Sequence, residues 1–399
     1  MGTSTSASSQ AELGLLLNES VAHAQNRARI AFDSQTEACR NKFVLFGAGN
    51  IGRRVLARLR EDGVEPLAFA DNQNEKWGTM IEGLPVLPPA EAADRHGREA
   101  AFIVTIYNRE HSFAETRLQL ESLGCAKVVS VIPFRWKHPA SFLPYYRDDL
   151  PHKVLLQAEA VRDAFHLWTD ETSRREYVAQ VRWRLQGDSG VLSRPVSGEQ
   201  YFPEGLFHLN RAEVFVDVGA YDGDTIRAFR SIQGDAFERI IALEPDPENF
   251  RKLKAYVEAQ PSEFQRRIEF YPFAAGREAG YLRFAGGEGE GSALREAGSH
   301  EVQSIRLDDL LTPWRPSYIK MDVEGAELDA IAGCERVLSE KQPVVAACAY
   351  HAQDHLWKVP LAVRRRNPRY AFFLRPHMEE CWDTVCYAVP THRLARSAL

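Results

Sequence analysis

Cysteine is scarce in this chain, with six residues in 399 and no C-x-x-C pair among them. That spacing favours reduced, mostly buried thiols in a cytoplasmic protein over a disulfide or zinc framework. No apolar run reaches transmembrane length, and the segment Met1 to Ser9 lacks the basic and apolar parts of a signal peptide. The expectation is therefore a protein without a membrane partner. An excess of either charge is also missing: the formal net charge is −6, which provides no general attraction to nucleic acid. The run Arg364-Arg365-Arg366 reads as a solvated helix face rather than a nucleic-acid patch. Glycine and proline are present at ordinary levels, and 44% hydrophobic content over this length supports a full core in two or three domains.

The chain opens with a polar stretch and then an apolar stripe, from Leu13 to Ala28, that predicts one helix over Ala11 to Phe32 within residues 1–40. Residues 41–133 follow as a unit. An apolar strand at Lys42 to Phe46 runs into Gly47-Ala48-Gly49-Asn50-Ile51-Gly52, a helix follows through Arg60, and a second strand ends at Asp71. Strand, G-x-G-x-x-G, helix, strand and acid in that order predict a βαβ Rossmann unit. Gly47, Gly49, Asn50, Ile51, Gly52 and Asp71 are accordingly a candidate second nucleotide site. Residues 134–210 hold several prolines around a helical core from Val154 to Leu185. Their aromatics, Trp136, Tyr145, Tyr146, Trp168, Tyr177 and Trp183, either pack the seam between domains or form a substrate platform.

From residue 211 to about 390 strands and helices alternate again. The fold class expected is α/β, with two Rossmann-like doubly wound sheets joined by a helical segment. Val214 to Val218 is an apolar strand running into a turn with Gly219 and Gly223, ringed by Asp217, Asp222 and Asp224. Glycine lets the backbone approach a ligand, while the carboxylates repel a pyrophosphate. The turn thus suits a neutral or cationic cofactor, a demand that S-adenosyl-L-methionine meets with its sulfonium and amino groups. A second strand, Arg239 to Leu243, ends in Glu244, the residue type that binds ribose hydroxyls. Tyr318 to Met321 is a third strand, with Asp322 and Glu324 at its end and a helix predicted from Ala326 to Leu338. Pro343 to Ala349 is a further strand, and Tyr370 to Leu374 with Thr384 to Val389 is a candidate closing antiparallel pair.

Together, Asp217-Val-Gly-Ala-Tyr-Asp-Gly-Asp224, Glu244-Pro-Asp246, Phe273-Ala-Ala275 and Ile319-Lys-Met-Asp-Val-Glu-Gly-Ala-Glu327 resemble the FkbM family of S-adenosylmethionine-dependent methyltransferases. The resemblance spans roughly residues 210 to 390, and it implies a class I methyltransferase fold for the C-terminal sheet. It also implies a cofactor site from Asp217, Gly219, Tyr221, Asp222, Gly223, Glu244, Ala274, Ser292 and Asp322, with Phe273 to Ala275 as a wall for adenine. Independently, Phe69-Ala-Asp-Asn72 followed by Ile81 to Leu87 resembles the small nucleotide-binding domains attached to sugar-modifying enzymes.

Methyl transfer from a sulfonium to a hydroxyl is an in-line displacement, in which positioning dominates and a base can take the hydroxyl proton. His351, just past the strand at Pro343, is the candidate base, with Asp322 as the other catalytic candidate. Both have bland readings, His351 as a hydrogen-bonding loop residue and Asp322 as a helix cap, and capping is the better account of Glu327. His351, Asp354 and His355 could be read as metal ligands, but an Asp at a helix start is commonly a cap, and no metal is expected. The glycine-rich loop Ala285 to Ser292 would close over substrate or form a hairpin tip. The function expected is O-methylation of a sugar or other small polar metabolite, with a nucleotide sugar among the acceptors. The alternative is an NAD- or nucleotide-sugar-binding protein whose first Rossmann unit carries the activity.

Overall fold

A computed structural model describes residues 3–285, 293–294 and 300–396. The first sheet has six strands: β1 (Phe43–Phe46), β2 (Ala68–Ala70), β3 (Met80–Ile81), β4 (Leu84–Leu87), β5 (Ala101–Val104) and β6 (Lys127–Ser130). Their spatial order is β3-β4-β2-β1-β5-β6, parallel except for the β3/β4 hairpin. β1 and β5 are buried along their whole length, as expected of parallel strands covered on both faces.

The second sheet is larger. It comprises β7 (Glu213–Val218), β8 (Phe237–Leu243) and β9 (Ile268–Tyr271), and a small side sheet interrupts it in sequence. That side sheet contains β10 (Phe273–Ala275), β11 (Gly280–Ala285), β12 (Ala293–Leu294) and β13 (His300–Ile305). The main sheet resumes with β14 (Tyr318–Met321), β15 (Val344–Cys348), β16 (Tyr370–Pro376) and β17 (Thr384–Pro390), in the order β16-β17-β15-β14-β7-β8-β9. Five strands are parallel, and β17 joins antiparallel to both β15 and β16. The chain leaves β7 toward β8 on one side and returns to β14 on the other. The carboxyl ends of β7 and β14 therefore flank a switch point, where open α/β sheets bind ligands.

The segment between the sheets is not a free linker. Phe372 of β16 accepts the Thr169 N–H, Leu374 N–H donates to Ser173 Oγ, and Arg375 pairs with Asp170. These contacts fasten the helix Glu171–Gln186 to the sheet edge. The predicted helix over Ala11 to Phe32 is instead two helices, Thr3–Leu16 and Val21–Thr36. Ser20 ends the continuity because its side chain caps the second helix by accepting the His23 N–H. Likewise, the predicted helix from Ala326 is short, Glu327–Ala332, followed by a separate wide turn at Val337–Lys341. All six cysteines are buried and unpaired, and among the described residues no helix is long and apolar enough to cross a membrane.

Candidate active site

Gly219 leaves β7 at φ +83°, and a Cβ there would lie 1.8 Å from the Asp322 carbonyl oxygen. Only glycine allows the turn to pass this close to the end of β14, and the close pass sets the mouth of a cavity. Lys320 supports the turn from beneath: it is almost fully buried, donates to the Gly219 carbonyl and lies 3.1 Å from Asp217. Burial opposes the charge on Lys320, but Asp217, Asp322 and Asp224 outweigh it and hold its pKa above the usual lysine value.

The cavity encloses about 350 Å³ at the carboxyl ends of β7, β8 and β14. Of the residues anticipated for the cofactor, Gly219, Tyr221, Glu244, Ala274 and Asp322 line it. Asp217, Asp222 and Gly223 are not on its wall. Asp217 is buried against Lys320, Asp222 is paired with Arg227 at 2.6 Å, and Gly223 packs where a Cβ would meet Tyr256. Ser292 lies outside the described residues. The acidic wall is thus made by Asp224, Glu244, Asp322, Glu324 and Asp383 rather than by the whole ring of aspartates in the turn.

Glu244 accepts the backbone N–H of Tyr221 at 2.7 Å and of Asp246 at 2.9 Å, so it ties the end of β8 to the glycine turn. Burial raises its carboxyl to about 7 despite those two N–H groups. Pro245, Asn249 and Phe273 to Ala275 complete this end.

The other end of the cavity draws on the whole chain. Tyr107, Asn108 and Arg109 reach it from the loop after β5, Tyr145 and Tyr146 from the connecting segment, and Tyr350, Trp382 and Asp383 from beyond β15. Arg109 pairs with Asp383 at 2.6 Å across the two sheets. Of the aromatics with two sequence readings, Tyr145 and Tyr146 line the cavity, whereas Trp136, Trp168, Tyr177 and Trp183 are core. Tyr201 was not anticipated: its hydroxyl donates to Asp322 Oδ2 at 2.7 Å.

His351 stands behind this wall, its side chain 1% exposed. Its Nδ1 lies 2.7 Å from Glu327 Oε1, and Nε2 lies 3.4 Å from Asp322 Oδ1 and 3.7 Å from Glu324 Oε2. Burial opposes its charge, but Glu327 and then Glu324 and Asp322 prevail, raising the imidazole to about 10. Glu327 is not the cap expected of it, since the helix Glu327–Ala332 has no side-chain cap; fully buried, it accepts the Val323 N–H and holds His351, with His355 at 3.1 Å on its other oxygen. Asp354 pairs with Lys358 and stands apart from this cluster.

In the first sheet, Gly47 has φ +111°, and a Cβ on Gly52 would lie 2.1 Å from the Gly47 carbonyl, so helix and strand pack as a Rossmann turn requires. Around Gly49 there is open space, and Asn50 and Ile51 begin the helix Asn50–Glu61. Asp71, however, is nearly buried and already engaged by the N–H groups of Ala48 and Gln73 and by Lys76.

The crystal structure of methyltransferase FkbM from Methylobacillus flagellatus KT is similar over almost the whole chain. It covers 96% of this chain and 99% of its own, with a TM-score of 0.75 and 22% sequence identity, a likeness of fold. Slighter likenesses are to UDP-D-quinovosamine 4-dehydrogenase from Vibrio fischeri (TM-score 0.19, 23% identity, 22% of this chain and 75% of that one) and precorrin-6y C5,15-methyltransferase from Geobacter metallireducens GS-15 (0.30, 14%, 46% and 84%). No curated protein is a significant match. The stretch from the end of β7 to the approach to β17, residues 217–381, matches the family model described as methyltransferase FkbM domain, which supports a methyltransferase.

Proposed function

We propose that the chain is an S-adenosyl-L-methionine-dependent O-methyltransferase acting on a hydroxyl of a small polar metabolite, a sugar or nucleotide sugar being the class favoured. The observation that carries this reading is the single cavity in which a ribose-type carboxylate, Glu244, and an open glycine turn lead directly into an aromatic chamber next to Asp322. In this reading Glu244 accepts the ribose hydroxyls, Phe273 to Ala275 flank the adenine, and the turn from Gly219 to Thr225 meets the methionine moiety. The methyl then points toward Asp322 and the tyrosines. Flat aromatic faces alternating with Asn108, Gln200 and Asp383 suit a ligand with apolar C–H faces and hydroxyl edges.

In the transfer, the acceptor oxygen forms a bond to the methyl carbon as the carbon–sulfur bond breaks, its electron pair passing to sulfur to leave a thioether. The hydroxyl proton goes to Asp322, which is on the cavity wall. His351, behind that wall and held charged by three carboxylates, positions Asp322 in place of the base role expected of it from sequence. The Gly47 to Gly52 turn is not part of this proposal, because neither that turn nor Asp71 is on the wall of the cavity that holds Glu244 and Asp322. Screening the full chain for methyl transfer to sugars, nucleotide sugars and natural-product hydroxyls, read as thioether product formed, tests the reading. Turnover on a carbon or nitrogen acceptor but on no hydroxyl would overturn it.

A further inference from the structure

The structure assigns a divalent-cation site to Asp322, Glu324 and His351 at the acceptor end of the cavity. Among the described residues, Asp322, Glu327 and His351 bring their donor atoms within 4.8 Å of one another. Glu327 is the outer member: one oxygen takes His351 Nδ1 and the Val323 N–H, and the other faces His355. A carboxylate on Nδ1 is the support that fixes a metal-binding imidazole with Nε2 toward the ion. Here Nε2 is buried without a hydrogen-bond partner, and so is the nearest oxygen, Asp322 Oδ1. In an ordinary structure such atoms find partners.

The separations decide between a hydrogen-bonded cluster and a ligand set. His351 Nε2 is 3.4 Å from Asp322 Oδ1 and 3.7 Å from Glu324 Oε2, both beyond normal hydrogen-bond length. Two ligands each about 2.1 Å from one ion stand about 3.0 to 3.4 Å apart at octahedral or tetrahedral angles, so the His351–Asp322 separation already suits one ion and the His351–Glu324 separation is only a few tenths of an ångström longer. The backbone is bent to the same end, since Glu324 has φ +50°, a conformation that costs a non-glycine residue about 1–3 kcal/mol. That turn sets Glu324 on the cavity wall beside Asp322, with Tyr146 Oη 3.5 Å from its carboxylate.

Two carboxylates and one imidazole suit Mn²⁺ and its neighbours Mg²⁺ and Zn²⁺. This ligand set revises the expectation of a metal-free site, and it differs from the His351, Asp354 and His355 set considered from sequence. An ion there would replace the proton on His351 Nε2, meet the acceptor hydroxyl and lower its pKa, so that the hydroxyl proton passes more readily to Asp322. Only that role rests on the methyl-transfer reading.

The test is titration of the chelator-stripped full chain with Mn²⁺ alone, followed by electron paramagnetic resonance, beside calorimetric titration with S-adenosylmethionine. The site predicts one saturable Mn²⁺ per chain, with affinity reduced about 10- to 100-fold by Glu324→Gln and by Glu327→Gln, the size typical of lost coordination support. Glu324 is partly exposed, so its variant keeps the fold, which circular dichroism verifies. Absence of saturable Mn²⁺ binding to the folded chain, or binding unchanged in Glu324→Gln, overturns the site. Cofactor binding that persists in that event leaves the methyltransferase reading intact, so the two fail separately.

Discussion

Arg109 and Asp383 lie 274 positions apart in sequence, yet their side chains meet at 2.6 Å on the rim of the cavity. The pair fastens the loop after β5 of the first sheet to the hairpin that closes the second. It stands at the acceptor end, away from Glu244. Arg109→Ala is therefore expected to raise the acceptor KM about tenfold, the scale of one charge-assisted hydrogen bond, while the dissociation constant of S-adenosylmethionine stays as it was. Steady-state kinetics with parallel calorimetry separate the two quantities. An unchanged KM would remove the first sheet from acceptor recognition.

Asp322 carries the chemistry in this account. Asp322→Asn keeps the shape and the Tyr201 contact but removes the carboxylate, so kcat should fall by about a hundredfold to ten-thousandfold. Binding of the cofactor, which depends on Glu244 and the glycine turn, should hardly move. A kcat near the wild-type value would transfer the proton-accepting role elsewhere.

Lys320 is the third residue whose replacement separates alternatives. Lys320→Met leaves Asp217 buried without its cation and the Gly219 carbonyl without a donor. Removing one partner of a buried pair costs about 3–5 kcal/mol, so urea denaturation should show a loss of that order. A loss below about 1 kcal/mol would mean that water reaches Asp217 and the pair is of the surface kind.

Much of this architecture is legible locally. Each glycine turn follows an apolar strand and precedes a helix, and the next strand ends in an acid, so Gly219 with Glu244 and Gly47 with Asp71 announce two α/β units. What local pattern cannot convey is which acid is left facing the ligand. Asp217 and Asp222 read as equals of Asp224 in sequence, but Lys320 and Arg227 neutralise the first two. Lys320 stands within an apolar strand where nothing nearby signals its partner, which comes from the neighbouring parallel strand. Tyr201, Arg109 and Asp383 were illegible for the same reason: each reaches the cavity from a separate segment, through contacts set by tertiary packing. Ser20 shows the converse, a local cap signal overlooked within a continuous apolar stripe.

Glu244 also predicts a pH dependence. Its folded-state carboxyl is raised to about 7, so in the free protein it is largely protonated below that pH and ionised above it. Ribose hydroxyls donate to the ionised form, so affinity for S-adenosylmethionine should rise as pH climbs through 7 and level off above it. Near pH 7 binding should release a proton, seen as a buffer-dependent enthalpy. A carboxyl raised on folding also works against the fold as it ionises: stability from this group is present below its unfolded pKa and is lost as pH rises toward 7. Glu244→Gln should flatten both profiles, and affinity independent of pH in the wild type would contradict the assignment.

The most direct test of the central claim is calorimetric titration of S-adenosylmethionine into the full chain and into Glu244→Ala. The account predicts one cofactor bound per chain, and a loss of about 1.5–3 kcal/mol in the variant, the scale of hydrogen bonds to a charged group. Failure of the folded wild-type chain to bind the cofactor, or equal affinity in the two proteins, would contradict it.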